Sequence, residues 1–408
     1  MLSNRKNSKI KSLTFTVGLF FFMPFSIAQE KLTIESFERF DNVNLLSTHP
    51  FGLFSSRINH NFQLNAVKNI AVQFDMSSAN VWSPFTQTFR PKLPQDRELV
   101  SETKWFDRDN ALLRALDSDS SSFHADAVIR TFIPSIVFPI SKGGELQLSL
   151  RMFLVTEGNF PFASVVSDGF IEAFHSNIKG GEDPFARKDY GFNNADIRFT
   201  DKNGKSFSLN RNDFVFAGIN TDYYWYLRPR LAVLGRLNTN LGVHFGLNTT
   251  MVNPSVDVGI SQTTTKEVSI NEHSFLLFAL GTNLLRKNIF DYGEPIELTT
   301  NRFLFSFSVQ PKFVKKTKKG NYVSFAWNYY YQSPFNKRKE FDEIILSGDR
   351  ITSHWHLGGS HLYRSIETHS FVLSFYKKNI LSFYLQQDFK VNNNPDLQTG
   401  VSYQILIF

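Results

Sequence analysis

The sequence predicts an all-β fold, a transmembrane antiparallel β-barrel of about twelve strands, with ten or fourteen as alternatives. Three observations support this prediction. Apolar and polar residues alternate with a period of two along most of the chain after residue 69. Long and short connections alternate along most of the chain, as long extracellular loops and short periplasmic turns do in outer-membrane barrels. After residue 30, no run of about 18 apolar residues would span a bilayer as a helix.

Twelve segments carry the strand pattern. In the first, Val72, Phe74 and Met76 alternate with a small or polar set that begins at Ala71. We expect strands at 69–82, 123–139, 145–156, 206–226, 231–243, 254–262, 274–285, 302–314, 321–332, 367–376, 380–390 and 398–408. The two strands between 244 and 285 rest on the shortest alternation. The sheet is expected to close by pairing its first and last strands, because hydrocarbon does not tolerate an unpaired edge.

The composition fits this fold class. The 408 residues include 44 Phe and no Cys. So many aromatic residues exclude a disordered chain, and the absence of Cys excludes disulfide frameworks, thiolate zinc sites and cysteine nucleophiles. A soluble periplasmic or secreted β-sandwich stays open as an alternative, because alternation also fits a sheet with one buried face.

The first 28 residues have the pattern of a secretory signal peptide. A basic start precedes an apolar stretch at 13–25, and small residues precede a cleavage point near Ala28. The alternative, an uncleaved anchor helix, is weakened by Pro24. Cleavage removes four basic residues and lowers the net charge from +7 to +3, so no nucleic-acid partner is expected.

The predicted organisation follows from these patterns. Residues 29–68 are expected to form a periplasmic N-terminal segment. Residues 69–408 are expected to form the barrel, with long loops at 83–122, 157–205 and 333–366. The predicted location is the cell outer membrane of a Gram-negative bacterium. Expected partners are outer-membrane lipids and, through the C-terminal strand that ends in Phe408, the barrel-assembly machinery.

One loop motif resembles a known family. The run from Asp168 to His175 reads D-G-F-I-E-A-F-H, and Arg187 to Gly191 supplies R-x-x-Y-G downstream. This pattern resembles a Gram-negative family of unknown function, domain of unknown function 3187. The resemblance covers about forty residues well and implies a secreted outer-membrane β-barrel. It implies no established activity, cofactor or catalytic residue.

The same motif has a physical interpretation. Asp168 is suited to cap a short helix, whose apolar stripe would pack across or into the barrel mouth as a plug. Asp168, Glu172 and His175 recur at i, i+4 and i+7, which suits a metal or acid–base site or, more simply, a capped loop helix. The candidate binding or loop-motif residues are Asp168, Gly169, Phe170, Glu172, Phe174, His175, Arg187 and Tyr190. We predict no catalytic residue, metal or cofactor; the histidines at 354, 356, 361 and 369 lack a well-spaced carboxylate.

Three functional hypotheses remain. The preferred one is a passive conduit or binding barrel for small or apolar solutes, without enzymatic activity. The alternatives are a barrel enzyme that acts on lipid or surface polymer, and a structural or adhesion barrel. In the preferred hypothesis polar side chains line a wet lumen, and the candidates are His124, Asp126, Arg130, Gln147 and Arg151.

Overall fold

The computed structural model describes residues 50–102, 118–157, 195–231, 235–337, 345–348, 364–377, 379–387 and 397–407. The predicted signal peptide and the loop motif lie outside these residues. Within them, a 3-10 helix spans Pro50–Phe54 and an α-helix spans Pro94–Glu102. No helix in this part of the chain is long and apolar enough to cross a membrane.

Seventeen strands lie within the described residues. Their bounds are β1 Ala71–Pro91, β2 Ser118–Ser141, β3 Gly144–Thr156, β4 Asp196–Thr200, β5 Ser206–Leu209, β6 Phe214–Leu227, β7 Arg230–Leu231, β8 Gly235–Arg236, β9 Asn238–Asn248, β10 Ser255–Asn271, β11 Ser274–Asp291, β12 Phe303–Lys316, β13 Tyr322–Gln332, β14 Ile345–Gly348, β15 Ile366–Tyr376, β16 Ile380–Gln387 and β17 Leu397–Leu406. Two strands, β10 and β11, fill the interval from 244 to 285, as predicted.

Twelve of these strands form a closed antiparallel barrel. Its wall follows the order β1, β2, β3, β6, β9, β10, β11, β12, β13, β15, β16 and β17. The seam is the pairing of β17 with β1, which runs from Ala71 opposite Leu406 to Ala79 opposite Gln398. On its other side β1 pairs with β2. The predicted twelve-stranded barrel and its closure by the first and last strands are therefore confirmed.

The two ends of the barrel differ. The end at which the chain enters β1 carries the short connections after β2, β10, β12 and β15, and is here called the turn end. At the other end, the loop end, β14 pairs with β1, and the hairpin of β4 and β5 adds to β2. The predicted strand at 206–226 is thus wrong in one respect, because β5 belongs to this hairpin and only β6 lies in the wall. The predicted loop at 83–122 is also shorter, since β1 extends to Pro91 and β2 begins at Ser118.

The barrel has an inverted distribution of polarity. Large apolar side chains are exposed on the outer face of the wall, among them Phe74, Leu150, Phe245, Leu280, Phe303, Phe325, Phe375, Phe383 and Tyr403. Inward-facing positions on the same strands carry buried polar groups, among them Gln73, Ser149, His244, Asn283, Ser324, Ser374, Ser382 and Ser402. So large an exposed apolar surface is unfavourable in water and favourable against acyl chains. The barrel is therefore of the transmembrane type.

Candidate functional site in the barrel lumen

A stretch of the N-terminal chain runs through the lumen. At the loop end, Ser56 hydrogen-bonds to Asn248 and Asp257. At the turn end, the amide of Val67 donates to Glu145, which lies near the start of β3. Residues 50–68, here called the lumen segment, therefore pass from the loop end to the turn end before the chain enters the wall at β1. The expectation of a periplasmic segment at 29–68 is corrected for residues 50–68, which lie inside the barrel.

At the loop end, wall side chains bind the main chain of the lumen segment. Arg151 Nη1 donates to the carbonyl oxygen of Ser55 at 2.6 Å, and Asn253 Nδ2 donates to that of Phe54 at 2.9 Å. The amide of Ser56 donates to Asp257 Oδ2 at 3.1 Å. Among the described residues the lumen segment is not a strand of the sheet, so these wall side chains supply hydrogen bonds to its main chain.

Three glycines shape the wall beneath the middle of the lumen segment. Gly246, Gly259 and Gly281 face inward on β9, β10 and β11. A Cβ at Gly246 would lie 2.5 Å from the Cβ of Ser56, and a Cβ at Gly281 would lie 2.5 Å from Nδ1 of His60. A Cβ at Gly259 would overlap the Cδ1 atom of Ile58. Residues 56, 58 and 60 of the segment thus occupy the space that these glycines leave open on three adjacent strands. The three glycines are here called the glycine track.

Further along the lumen, polar contacts hold the segment near the turn end. Asn240 Nδ2 donates to the carbonyl oxygen of Asn61 at 2.7 Å. Glu145 accepts from the amide of Val67 at 2.9 Å and from the hydroxyl of Tyr226 at 2.7 Å. At the middle of the lumen, Asn283 Nδ2 donates to the carbonyl oxygen of Ile58 at 3.1 Å. Polar wall residues therefore contact the main chain along the full depth of the barrel.

Aromatic residues close the loop end. Phe51 makes edge contacts with Phe123 and Phe199, at ring-centroid distances of 5.3 and 4.9 Å. Phe54 contacts Phe153 and Phe207 at 5.9 and 5.2 Å. These rings belong to one buried apolar cluster that joins the lumen segment, β2, β3 and the β4–β5 hairpin. The hairpin therefore packs over the segment where the segment enters the barrel.

A cavity remains beside the lumen segment. It measures about 80 Å³ and lies between the segment and the wall formed by β1, β2, β3 and β6. Arg57 and Asn59 contribute from the segment, and Arg151, Asp222 and Tyr224 contribute from the wall. A water molecule needs about 10–15 Å³ on this measure, so the space suits a few water molecules or a short solute.

The structure also brings together three residues that the sequence did not single out. Asp222, His244 and Ser261 lie on β6, β9 and β10 and face the lumen. His244 Nδ1 lies 2.6 Å from Asp222 Oδ1, and His244 Nε2 lies 2.8 Å from Ser261 Oγ. The three side chains form a continuous hydrogen-bonded chain. No sequence motif marks it, because its members are joined only by strand register.

Two of the five predicted lumen-lining residues face the lumen, and three do not. Gln147 and Arg151 lie on the inner face of β3 and line the cavity. His124, Asp126 and Arg130 lie on the opposite face of β2, because the inward positions there are the odd-numbered ones, such as Thr131 opposite the inward Ser77. Near the loop end, β2 packs against aromatic residues rather than water, so it turns Ala125, Ala127 and Ile129 inward. The assignment of those three polar residues to the lumen was therefore wrong.

Other predicted site residues fall outside the described part of the chain. These are Asp168, Gly169, Phe170, Glu172, Phe174, His175, Arg187 and Tyr190. Among the histidines, His369 is described, and it accepts a hydrogen bond from Trp327 Nε1 at 3.2 Å. Within the described residues, no group of three or more His, Asp or Glu residues is arranged to hold a metal ion.

The chain is similar in fold to several solved outer-membrane barrels. The COG4313 outer membrane channel from Pseudomonas putida F1 aligns with 84% of this chain and 98% of its own, at 8% identity and a TM-score of 0.38. The β domain of the Bordetella autotransporter Brka aligns with 83% and 100%, at 8% identity and a TM-score of 0.32. The P. putida toluene transporter TodX aligns with 84% and 91%, at 9% identity and a TM-score of 0.27.

No protein-family model and no curated protein matches the chain. The resemblance to the family of unknown function therefore stays a prediction. The fold itself rests on this chain's own strand pairing and inverted polarity, and it is that of an outer-membrane β-barrel. Such a fold implies the outer membrane of a Gram-negative bacterium.

Proposed function

We propose that the protein is a passive outer-membrane conduit for small polar solutes, and that the lumen segment is its gate, closed in the present state. The main support is that wall side chains bind the main chain of this segment along the depth of the lumen. The polar wall favours polar solutes over the apolar ones that the sequence also allowed. The proposed gate is the lumen segment and not the loop motif at 168–175.

The character of these contacts suits a gate that is mostly closed. A hydrogen bond between neutral groups, such as those from Asn240 and Asn283, contributes a net free energy of about 0.5–1.5 kcal/mol, and a bond to a charged group, such as those with Arg151, Asp257 and Glu145, contributes about 1.5–3 kcal/mol. Withdrawal of residues 55–68 replaces these bonds with hydrated ones and exposes the buried apolar side chains of Ile58, Phe62, Leu64 and Val67. Openings are therefore rare, and Phe51 and Phe54 anchor the segment at the loop end.

The width of the barrel supports the same proposal. A twelve-stranded barrel is narrower than porins of 16 to 18 strands. One extended chain is therefore enough to fill it, and little space remains beside the segment in the closed state. Once the segment withdraws, the polar wall residues that held it line the path.

Location and partners complete the proposal. We propose cleavage of a signal peptide near Ala28, contact of the apolar outer face with outer-membrane lipids, and delivery of the C-terminal strand to the barrel-assembly machinery. Exposed Phe375 and Phe383 on neighbouring strands support the lipid contact. The role of β17 in closing the seam supports the importance of the C-terminal strand.

Planar-bilayer recordings test the proposal. The full chain is expected to be closed, with rare brief openings. Gly246→Leu is expected to displace Ser56 from the glycine track and give sustained ion conductance. Gly143→Leu is the matched control, because a Cβ at this turn glycine lies no closer than 3.4 Å to its neighbours. Equal conductance of the wild type and Gly246→Leu would overturn the proposed gate, and an absence of conductance in all three proteins would overturn the conduit.

A further inference from the structure

The hydrogen-bonded chain of Asp222, His244 and Ser261 has the connectivity of an activated serine. Asp222 stands opposite His244 in the register of β6 and β9, and His244 stands opposite Gly259 in that of β9 and β10. Ser261 is two residues beyond Gly259 and therefore shares its inward face. Strand register thus brings the carboxylate, the imidazole and the hydroxyl into line, at 2.6 and 2.8 Å.

These distances suit the tautomer of His244 that carries its proton on Nδ1. In this tautomer the ring donates to the carboxylate of Asp222, and Nε2 is the acceptor. Ser261 Oγ then donates its proton to Nε2. An imidazole oriented by a carboxylate and bonded to a serine hydroxyl is the arrangement that makes serine a nucleophile. The His244 side chain is 4% exposed and that of Asp222 is 16% exposed, so water does not compete strongly for these bonds.

A wall glycine lets the serine and the histidine meet. Gly242 stands opposite Ser261, and a Cβ there would overlap Ser261 Oγ and lie 2.7 Å from His244 Nε2 and 2.9 Å from Tyr224 Cε1. The hydroxyl and the imidazole therefore occupy the space that a side chain at position 242 would take.

The lumen segment covers this chain of residues in the closed state. Ile58 occupies the space over Gly259, directly opposite His244, and His60 occupies the space over Gly281. We propose that Asp222, His244 and Ser261 form a latent serine esterase site, which becomes accessible when the lumen segment withdraws. This inference rests on the proposed gate. It assigns an activity to three residues that the sequence did not single out.

The lumen that the segment vacates selects the substrate class. The cavity beside the segment borders Asp222 and Tyr224, but His244 and Ser261 are not among its described lining residues, so a substrate reaches Ser261 only through the space that the segment leaves. That space has the width of one extended chain and is lined by polar wall side chains such as Asn240 and Asn283. The substrate class is therefore a carboxylic ester of a small polar solute.

The reaction balances with water as the co-substrate. Ser261 Oγ attacks the ester carbonyl carbon while its proton passes to His244 Nε2, and the carbonyl oxygen takes the negative charge. Collapse of this intermediate breaks the bond to the alcohol, which leaves with the proton from His244. Water then attacks the acyl carbon of the acyl-serine and gives a proton to His244. The bond between this carbon and Ser261 Oγ breaks, Oγ takes the proton back from His244, and the carboxylic acid leaves. Asp222 is a positioning residue that keeps the ring in the required tautomer.

Diisopropyl fluorophosphate, a small serine-directed reagent, tests the inference in the full chain. The released variant is Arg151→Met with Asn253→Ala, which removes the bonds to the carbonyl oxygens of Ser55 and Phe54 and leaves the three residues intact. Labelling is located by mass spectrometry of peptides. We expect Ser261 to be labelled at least tenfold faster in the released variant than in the wild type. Adding Ser261→Ala or His244→Ala should remove the label, and adding Ser306→Ala should not.

Two further readouts separate chemistry from structure. Asp222→Asn in the released variant should slow labelling at least tenfold and change its pH profile, while Asp222→Glu restores part of the rate; a purely structural role would leave the labelling rate unchanged. Conductance of the released variant is recorded in parallel. Conduction without labelling at Ser261 overturns the esterase site and leaves the gate standing. If the released variant does not conduct, the gate is overturned. If it also shows no labelling at Ser261, the esterase site is overturned too.

Discussion

Ser56 lies on Gly246 in the lumen, so closely that a Cβ at position 246 would stand 2.5 Å from the Cβ of Ser56. The wall glycine and the lumen residue are therefore complementary in shape. The same relationship recurs at Gly259 with Ile58 and at Gly281 with His60. Three successive matches on adjacent strands show that the wall is built to receive this segment, and they lead to specific predictions.

The smallest change to the glycine track is a single methyl group. Gly246→Ala should push Ser56 away from the wall and weaken the hydrogen bond from its amide to Asp257. We expect amide exchange at Ser56 to accelerate about tenfold, which corresponds to about 1.4 kcal/mol. Hydrogen–deuterium exchange with peptide mass spectrometry measures this, with Gly143→Ala as the matched control. Unchanged exchange at Ser56 would show that the segment does not depend on the track.

Glu145 should govern the turn end of the segment. It is fully buried and accepts hydrogen bonds from the Val67 amide and the Tyr226 hydroxyl. Glu145→Leu leaves the Val67 amide unsatisfied and the Tyr226 hydroxyl with only the longer bond to Gln63 Oε1 at 3.4 Å, and a buried donor without a partner costs about 1–3 kcal/mol. Glu145→Gln keeps the shape and an acceptor oxygen, so it should destabilise less. Urea unfolding in lipid vesicles, read by tryptophan fluorescence, checks this order, and a reversed order would contradict the assigned contacts.

A charged residue on the outer face should destabilise the barrel more near the bilayer midplane than near the interface. Phe245 is 47% exposed in the middle of the β9 outer face, whereas Met251 is 88% exposed in the connection between β9 and β10. An arginine costs about 2–4 kcal/mol at the bilayer midplane and about 0–1 kcal/mol near the interface. Phe245→Arg should therefore lower the free energy of unfolding in vesicles far more than Met251→Arg. Equal effects would mean that this face does not contact acyl chains.

The hairpin at the loop end should respond to acid. Lys205 Nζ donates to Glu294 Oε2 at 2.9 Å, and this hydrogen bond with the positive charge lowers the pKa of the Glu294 carboxyl. The contact is therefore complete above the ordinary pKa of glutamate and is lost as the pH falls through the lowered value. Lys205→Met should return the pKa of Glu294 towards its ordinary range. Carboxyl NMR titration measures the pKa of Glu294 in the wild type and in Lys205→Met, and an unshifted pKa in the wild type would contradict the ion pair.

The wall was predictable from sequence because a lipid-facing barrel strand alternates strictly. Phe303 and Phe305, exposed on β12, and Ser306 and Ser308, buried on it, show this pattern. Predicted and observed strand bounds agree within about three residues for β3, β12, β13, β15, β16 and β17, whereas those of β1, β2, β6, β9, β10 and β11 differ by five to nine residues at one end at least. The pattern failed on β2, where the inward face packs against aromatic residues and is itself apolar.

The lumen was not predictable in the same way. The alternation of residues 56, 58 and 60 is too short to indicate an inserted strand-like segment. Its partners, the three track glycines, are far apart in sequence and become neighbours only through register. The same holds for Asp222, His244 and Ser261. A search for glycines at inward positions of adjacent predicted strands would have indicated that something lies against the wall.

Disulfide trapping tests the central claim most directly, because the chain contains no Cys. A Cβ at position 281 would lie 3.1 Å from the Cβ of His60, and a disulfide needs about 3.5–4.5 Å between Cβ atoms, within reach of a small adjustment. The double variant His60→Cys, Gly281→Cys should form an intramolecular disulfide in the outer membrane under mild oxidation. The double variant His60→Cys, Gly143→Cys should not. Free thiols in the first variant, or equal cross-linking in both, would contradict a segment threaded through the lumen.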